Sequence, residues 1–131
     1  MILCVGTTPA VQRVMVFQKL TSGAVNRAVA TVDGVAGKSV NAAKVLHTLG
    51  APVMAMGFLG GARGAFIRRS LAERGIELDF VAVAENTRQC ITVIDQSAGS
   101  QTELVEEGRP VAPEAYRELM RRLRRRLNGC R

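Results

Sequence analysis

Gly34-Val35-Ala36-Gly37-Lys38-Ser39-Val40-Asn41-Ala42-Ala43-Lys44-Val45-Leu46-His47-Thr48-Leu49-Gly50 runs a glycine-containing loop straight into a helix. Val40, Ala43, Leu46 and Leu49, joined by Val45, give that helix an apolar face over 40–49, and Gly50 stops it. Such a junction suits an anion. The first helical N–H groups lack internal partners, the helix dipole places partial positive charge there, and Lys38 adds a full one. Gly37-Lys38-Ser39 looks like the end of a P-loop, but that motif needs glycine five residues before Gly37, where Val32 stands. The plainer reading is a tight turn with Ser39 as helix cap.

Outward from this stretch, strand and helix alternate. Ile2-Leu3-Cys4-Val5 reads as a short, fully apolar strand of the kind buried between helix layers. Helix 40–49 leads to a strand at 53–57, a Gly60-Gly61 turn, a helix at about 64–74 closed by Gly75, and a strand near 78–83. These strands should form a mostly parallel sheet. Segments near 11–17, 28–33, 90–95 and 101–105 have no helices between near neighbours, and Gln96-Ser97-Ala98-Gly99-Ser100 is a hairpin signal, so a second, smaller sheet is expected.

Several motifs then fall in the order of one family. Ala36-Gly37-Lys38-Ser39-Val40-Asn41-Ala42-Ala43 resembles the Gly-Gly-Lys-Gly-x-Asn-x-Ala signature of the PfkB (ribokinase-like) carbohydrate kinases. Thr8-Pro9-Ala10-Val11 resembles its Asn-Pro-Ala-Ile-Asp turn, Val25-Asn26-Arg27 its Val-Asn-Arg, Gly57-Phe58-Leu59-Gly60-Gly61 its Gly-x-x-Gly-Gly, and Thr87-Arg88-Gln89 its Thr-Arg-Asn/Gln. The set points to the branch acting on sugar phosphates, such as 1-phosphofructokinase and tagatose-6-phosphate kinase. The fold implied is α/β, a three-layer ribokinase-like (Rossmann-like) mostly parallel sheet with a small β-sheet lid. Residues 1–131 would be a single partial domain, with core segments near 1–6, 40–83 and 113–128 and the four hairpin-like segments as lid.

By this resemblance Lys38 and Arg88 would hold the phosphate already on the sugar, Asn41 would bond sugar hydroxyls, and Gly37 would let the backbone come close. The chemistry agrees: arginine offers phosphate a rigid bidentate fork and lysine a mobile point charge. Gln12 stands where the family has a hydroxyl-binding Asp; its amide can still bond hydroxyls but is uncharged. Ala36 and Ser39 replace glycines. The family's catalytic Asp, in a Gly-Ala-Gly-Asp motif, and its nucleotide pocket belong to a second half without counterpart here. The resemblance therefore implies the amino-terminal half of an ATP-dependent sugar-phosphate kinase, with the carboxyl-terminal half of the fold absent. This half should be inactive and marginally stable alone, with MgATP used only by a complete member, a phosphorylated sugar as ligand and the lid as a dimer surface.

Composition narrows the alternatives. A chain of 131 residues with mean hydropathy +0.12 can bury one core, and no apolar run nears the roughly 18 residues of a membrane span. With no signal-like amino terminus, a soluble cytoplasmic protein is expected. Cys4, Cys90 and Cys130 lack metal-ligand spacing; the first two read as reduced core residues, and Cys130, near the terminus, as reactive only if its surroundings lower its pKa. His47 stands alone and reads as structural.

The net charge of +7 sits at one end. Residues 113–131 carry seven arginines against Glu114 and Glu118. Tyr116, Leu119, Met120, Leu123 and Leu127 make the apolar side of a helix that starts at Pro113 and stops at Gly129, with arginines on the solvated side. The alternative function is a non-catalytic module docking through the lid or this helix, nucleic acid included. No aromatic residue interleaves the arginines, which argues against nucleic acid.

Overall fold

The computed structural model describes residues 1–128, with elements in the order β1 (Ile2–Gly6), β2 (Ala10–Phe17), β3 (Ala30–Ala36), α1 (Lys38–Thr48), β4 (Val53–Leu59), α2 (Gly61–Glu73), β5 (Glu77–Ala82), β6 (Arg88–Asp95), β7 (Ser100–Val105) and α3 (Pro113–Leu127). Gly129 and Cys130 lie outside the described residues.

Strands β1, β4 and β5 form a parallel sheet in the order β1-β4-β5. All seven residues of the central strand β4 are buried, as an apolar run covered on both faces requires. Its side chains alternate. Val53, Ala55 and Leu59 join Val40 and Ala43 of α1 and Ile67 and Leu71 of α2 on one face. Met54, Met56 and Phe58 meet Leu119 of α3 on the other. The sheet is therefore the middle of three layers, with α1 and α2 on one side and α3 opposite. Completely buried aliphatic side chains such as Leu71 and Ile67 each contribute about 1.5–3 kcal/mol.

The second sheet has the order β3-β2-β6-β7. Two antiparallel pairs, β2 with β3 and β6 with β7, are joined by parallel pairing of β2 with β6. That junction aligns Ala10 with both Ala36 and Arg88, and Gln12 with both Gly34 and Cys90.

Several local expectations are corrected. Val45 and Leu49 are 59% and 76% exposed. At 100° per residue they lie about 140° and 180° round the helix from Val40, so they face away from the sheet. Ser39 does not cap α1. Gly37 is the N-cap, no side chain bonds the helix start, and Ser39 lies inside the first turn. Strand β3 runs on to Ala36, directly into Gly37, and α2 begins at Gly61, so the glycine pair is its start rather than a separate turn. The arginine side of α3 is not simply solvated, because Arg122 and Arg126 reach Asp79 on β5 at 3.0 and 2.8 Å. Cys4 and Cys90 are buried free thiols, and burial pushes the Cys4 thiol up.

Candidate functional site

The carboxyl end of β1 is where the glycine loop arrives. Gly37 has φ of 115°, and a Cβ placed there would lie 3.0 Å from Pro9 Cα. Only glycine combines that backbone with that approach. Its carbonyl accepts the first helical bond, from the Asn41 N–H at 2.8 Å. With no capping side chain and no acidic residue in the first turn, the start of α1 keeps its positive character. Lys38 and Asn41 are exposed and three residues apart, so they share one side of that turn. Lys44, one and a half turns on, donates to the Val35 carbonyl at 2.7 Å and fixes the end of β3 against the helix. Burial, and then Arg74, lower the Lys44 pKa.

Arg88 opens β6 on the other side of the same turn. Its Nε donates to the Thr8 carbonyl at 3.2 Å and its Nη1 to the Glu106 carbonyl at 3.3 Å. Thr8-Pro9 thus touches both Gly37 and Arg88. The row Ala36–Ala10–Arg88 spans two inter-strand spacings, which puts the ends of β3 and β6 about 10 Å apart. A sugar phosphate is of that size. The half-open recess beside Arg88, lined in part by Thr8, Pro9, Phe58 and Thr87, is only about 40 Å³. Ligand pockets usually hold roughly 300–1,000 Å³, so this cleft suits a water or two and the ligand surface here is open.

Gln12 lies on the same side of the second sheet as Arg88, by the pairing of Ala10 with Arg88 and Gln12 with Cys90. Its Nε2 donates to Thr92 Oγ1 at 2.7 Å, and Thr92 Oγ1 donates to Glu103 Oε1 at 2.8 Å. The amide is therefore engaged within the sheet. Of the five candidates, Gly37, Lys38 and Asn41 lie together, Arg88 meets them across Thr8-Pro9, and Gln12 stands one alternate residue farther along β2.

Supporting contacts around these candidates were not assigned by the motifs. Thr87 Oγ1 accepts from Gly60 N–H at 3.0 Å. The Glu106 carboxylate accepts from Gln89 N–H at 2.9 Å and Arg63 Nη1 at 3.2 Å. The Gln89 amide, with Arg63 and Arg109, holds that carboxyl below its usual range against the opposing effect of burial. No motif marks Glu106, since its partners are a backbone N–H and an arginine 43 residues away. His47, by contrast, sits near the far end of α1 beside Gly75.

A pfkB family carbohydrate kinase model matches residues 1–124. The chain belongs to that family. Among solved structures, a candidate phosphofructokinase from Staphylococcus aureus is 30% identical with a TM-score of 0.84, the match covering 93% of this chain and 39% of that one. A candidate 1-phosphofructokinase from Thermotoga maritima is 27% identical with a TM-score of 0.88, covering 97% and 41%. Phosphofructokinase-2 from Escherichia coli, solved with fructose-6-phosphate, shares the fold at 23% identity and a TM-score of 0.87, covering 92% and 40%. The pfkB chain described here thus spans about 40% of the length of these structures. The ribokinase-like α/β architecture expected from the motifs is the one observed, with a parallel sheet and a separate small sheet.

Proposed function

We propose that this chain supplies the phosphosugar-binding part of an ATP-dependent kinase of the phosphofructokinase type. Lys38 and Arg88 grip the phosphate already on the sugar, Asn41 bonds its hydroxyls, and Gly37 admits the backbone to the ligand. Gln12 adds an amide contact once a hydroxyl competes for its bond to Thr92. The second sheet closes over the sugar, so that phosphoryl transfer reaches a sugar hydroxyl rather than water, and its strands also serve self-association. The observation that carries this reading is the shared contact of Gly37 and Arg88 with Thr8-Pro9, which sets two anion-binding elements about two strand spacings apart.

MgATP is the phosphoryl donor expected of a complete family member. The nucleotide pocket belongs to the part of the family fold that this chain does not match, and we assign no MgATP contact to this chain. Alone, it is expected to bind sugar phosphate without turnover. The nucleic-acid alternative loses ground because Arg122 and Arg126 are bound to Asp79, and Arg117 and Arg121 to Glu114 and Glu118. Among the described residues no helix is long and apolar enough to cross a membrane; a cytoplasmic site of action remains part of the proposal.

Calorimetric titration with fructose 6-phosphate, fructose 1-phosphate and tagatose 6-phosphate, with fructose as control, tests the reading. Saturable binding of a phosphorylated sugar, lost in Lys38→Ala and Arg88→Ala, is expected. Equal binding of fructose, or binding indifferent to both substitutions, would overturn it.

A further inference from the structure

The face of the second sheet that carries Arg88 has a low floor. Ala36, Ala10 and Arg88 share one row across β3, β2 and β6, and Gly34, Gln12 and Cys90 share the row two residues farther on. A Cβ built on Gly34 meets nothing within 4 Å, so the ground beside Gln12 is open. Beyond that row stand Thr92 of β6 and its register partner Glu103 of β7. Four residues of one strand separate Arg88 from Thr92, about 13 Å. Glu103 shortens that span, because it leans from β7 across β6 toward the Gln12 amide on β2.

The carboxylate is aimed, and one of its oxygens is left over. Glu103 Oε1 accepts from Thr92 Oγ1 at 2.8 Å and from Gln101 Nε2 at 3.0 Å, and Thr92 Oγ1 accepts from Gln12 Nε2 at 2.7 Å. Glu103 Oε2 receives only the Gln12 amide among the described residues, and that at 3.5 Å. Thr92 is buried while Glu103 is exposed, so an anchored hydroxyl orients an accessible acceptor. No described cation neutralises it: Asp33 is paired with Arg13 on the opposite face and Glu106 with Arg63, whereas Glu103 is in no ion pair. A carboxylate held by neutral donors suits a ligand that donates. Sugar hydroxyls donate, and they bond an ionised acceptor more strongly than an amide oxygen. A phosphate would be repelled. This face therefore distinguishes the two ends of a sugar phosphate, with cations at the Lys38 and Arg88 end and an anion at the other.

We propose that Glu103 binds a hydroxyl of the sugar through Oε2, with Thr92 and Gln101 as its positioning residues. The negative charge on this face then comes from β7, and Gln12 on β2 serves as the uncharged neighbour that a carboxylate at position 103 tolerates. The inference deepens the function proposed above and rests on it.

The test titrates the full 131-residue chain and its Glu103→Gln variant with whichever of fructose 6-phosphate, fructose 1-phosphate and tagatose 6-phosphate binds the wild type most tightly, and with inorganic phosphate. Glu103→Gln still offers Thr92 an acceptor, so its circular dichroism should be unchanged. Loss of the contact should weaken the sugar phosphate about tenfold or more and leave inorganic phosphate unchanged or tighter. A mere effect of net charge has the opposite sign, since removing an anion would tighten both ligands. Thr92→Val should weaken the sugar phosphate several-fold, and Thr92→Ser should restore it. One mono-deoxy analogue of that sugar phosphate, the one lacking the bonded hydroxyl, should bind wild type and Glu103→Gln alike. Sugar-phosphate affinity unchanged or raised in Glu103→Gln, or inorganic phosphate weakened as much as the sugar phosphate, would overturn the assignment while leaving the phosphosugar reading in place. If none of the three sugar phosphates binds the wild type, that reading falls and the role of Glu103 with it.

Discussion

Thr87 and Gly60 hold each other twice: Gly60 N–H donates to Thr87 Oγ1 at 3.0 Å, and Thr87 N–H donates to the Gly60 carbonyl at 3.0 Å. This pair ties the start of α2 to the residue before Arg88, and Thr87 is buried. The hydroxyl is part of a three-residue motif, yet its contact is internal. Thr87→Val keeps the shape and leaves the Gly60 N–H without an acceptor, which costs about 1–3 kcal/mol. Urea unfolding should register that loss, and Thr87→Ser should recover most of it. A loss in Thr87→Ser with none in Thr87→Val would show that the methyl packing, not the hydroxyl, matters.

Asp79 makes the attachment of α3 sensitive to acid. Burial pushes its carboxyl up, and the Arg126 and Arg122 guanidiniums outweigh that effect and hold it below its ordinary value of 3.8. A carboxyl with a folded pKa below its unfolded one adds stability that is complete above the unfolded value and is lost as pH falls through the folded one. The wild-type chain should therefore lose stability below about pH 3.8, and in Asp79→Asn that part of the acid dependence should vanish. A residual slope will remain from Glu118, which Arg121 and then Arg122 hold at about 2. At neutral pH, Asp79→Asn should cost about 1.5–3 kcal/mol, since it removes charge-assisted bonds from two half-exposed arginines that can partly rehydrate. Acid titration by circular dichroism of both proteins checks the sign and the window.

Gly6 and Ser39 occupy one space. A Cβ at Gly6 would lie 2.1 Å from Ser39 Oγ and 2.7 Å from Ser39 Cβ. Gly6→Ala should then destabilise by about 1–3 kcal/mol through overpacking. Because the clash is with Ser39 and not with main chain, adding Ser39→Gly should return part of that loss despite the lower helix propensity of glycine. A double-mutant cycle measures the coupling, and additivity would show that Gly6 is needed for another reason.

The parts of this fold that showed in the sequence are those with a local cause. The apolar run at 53–57, which β4 continues to Leu59, the Pro113 start of α3 and the glycine loop at α1 each announce themselves through composition or spacing. The parallel join of β2 to β6 did not, because Ala10 and Arg88 are 78 residues apart and no turn signal links them. Val45 and Leu49 look like core because they are apolar, and only the sheet's position reveals that they face outward. At the candidate site, Lys38, Asn41 and Gly37 were legible as a loop-to-helix junction. The contacts of Thr8 and Glu106 with Arg88 were not, because each is made through a backbone carbonyl, to which any residue type contributes equally.

The Gln12 position shows how an apparent departure from a motif can be locally coherent. Gln12 Nε2 donates to Thr92 Oγ1, whose own proton goes to Glu103, and Glu103 Oε2 lies 3.5 Å from the same amide. A carboxylate at position 12 could not donate to Thr92 and would face Glu103 at close range. Gln12→Asp should therefore destabilise the chain by about 0.5–1.5 kcal/mol at neutral pH, by loss of one hydrogen bond and gain of a like-charge pair. Glu103→Gln in the same chain should restore much of that loss, whereas Glu103→Gln alone should cost little, because its amide oxygen can still accept from Thr92. Thermal unfolding of the four proteins reads the coupling. If Gln12→Asp is neutral and Glu103→Gln gives no rescue, the carboxylate is solvated in the open sheet, and the glutamine owes nothing to its neighbour.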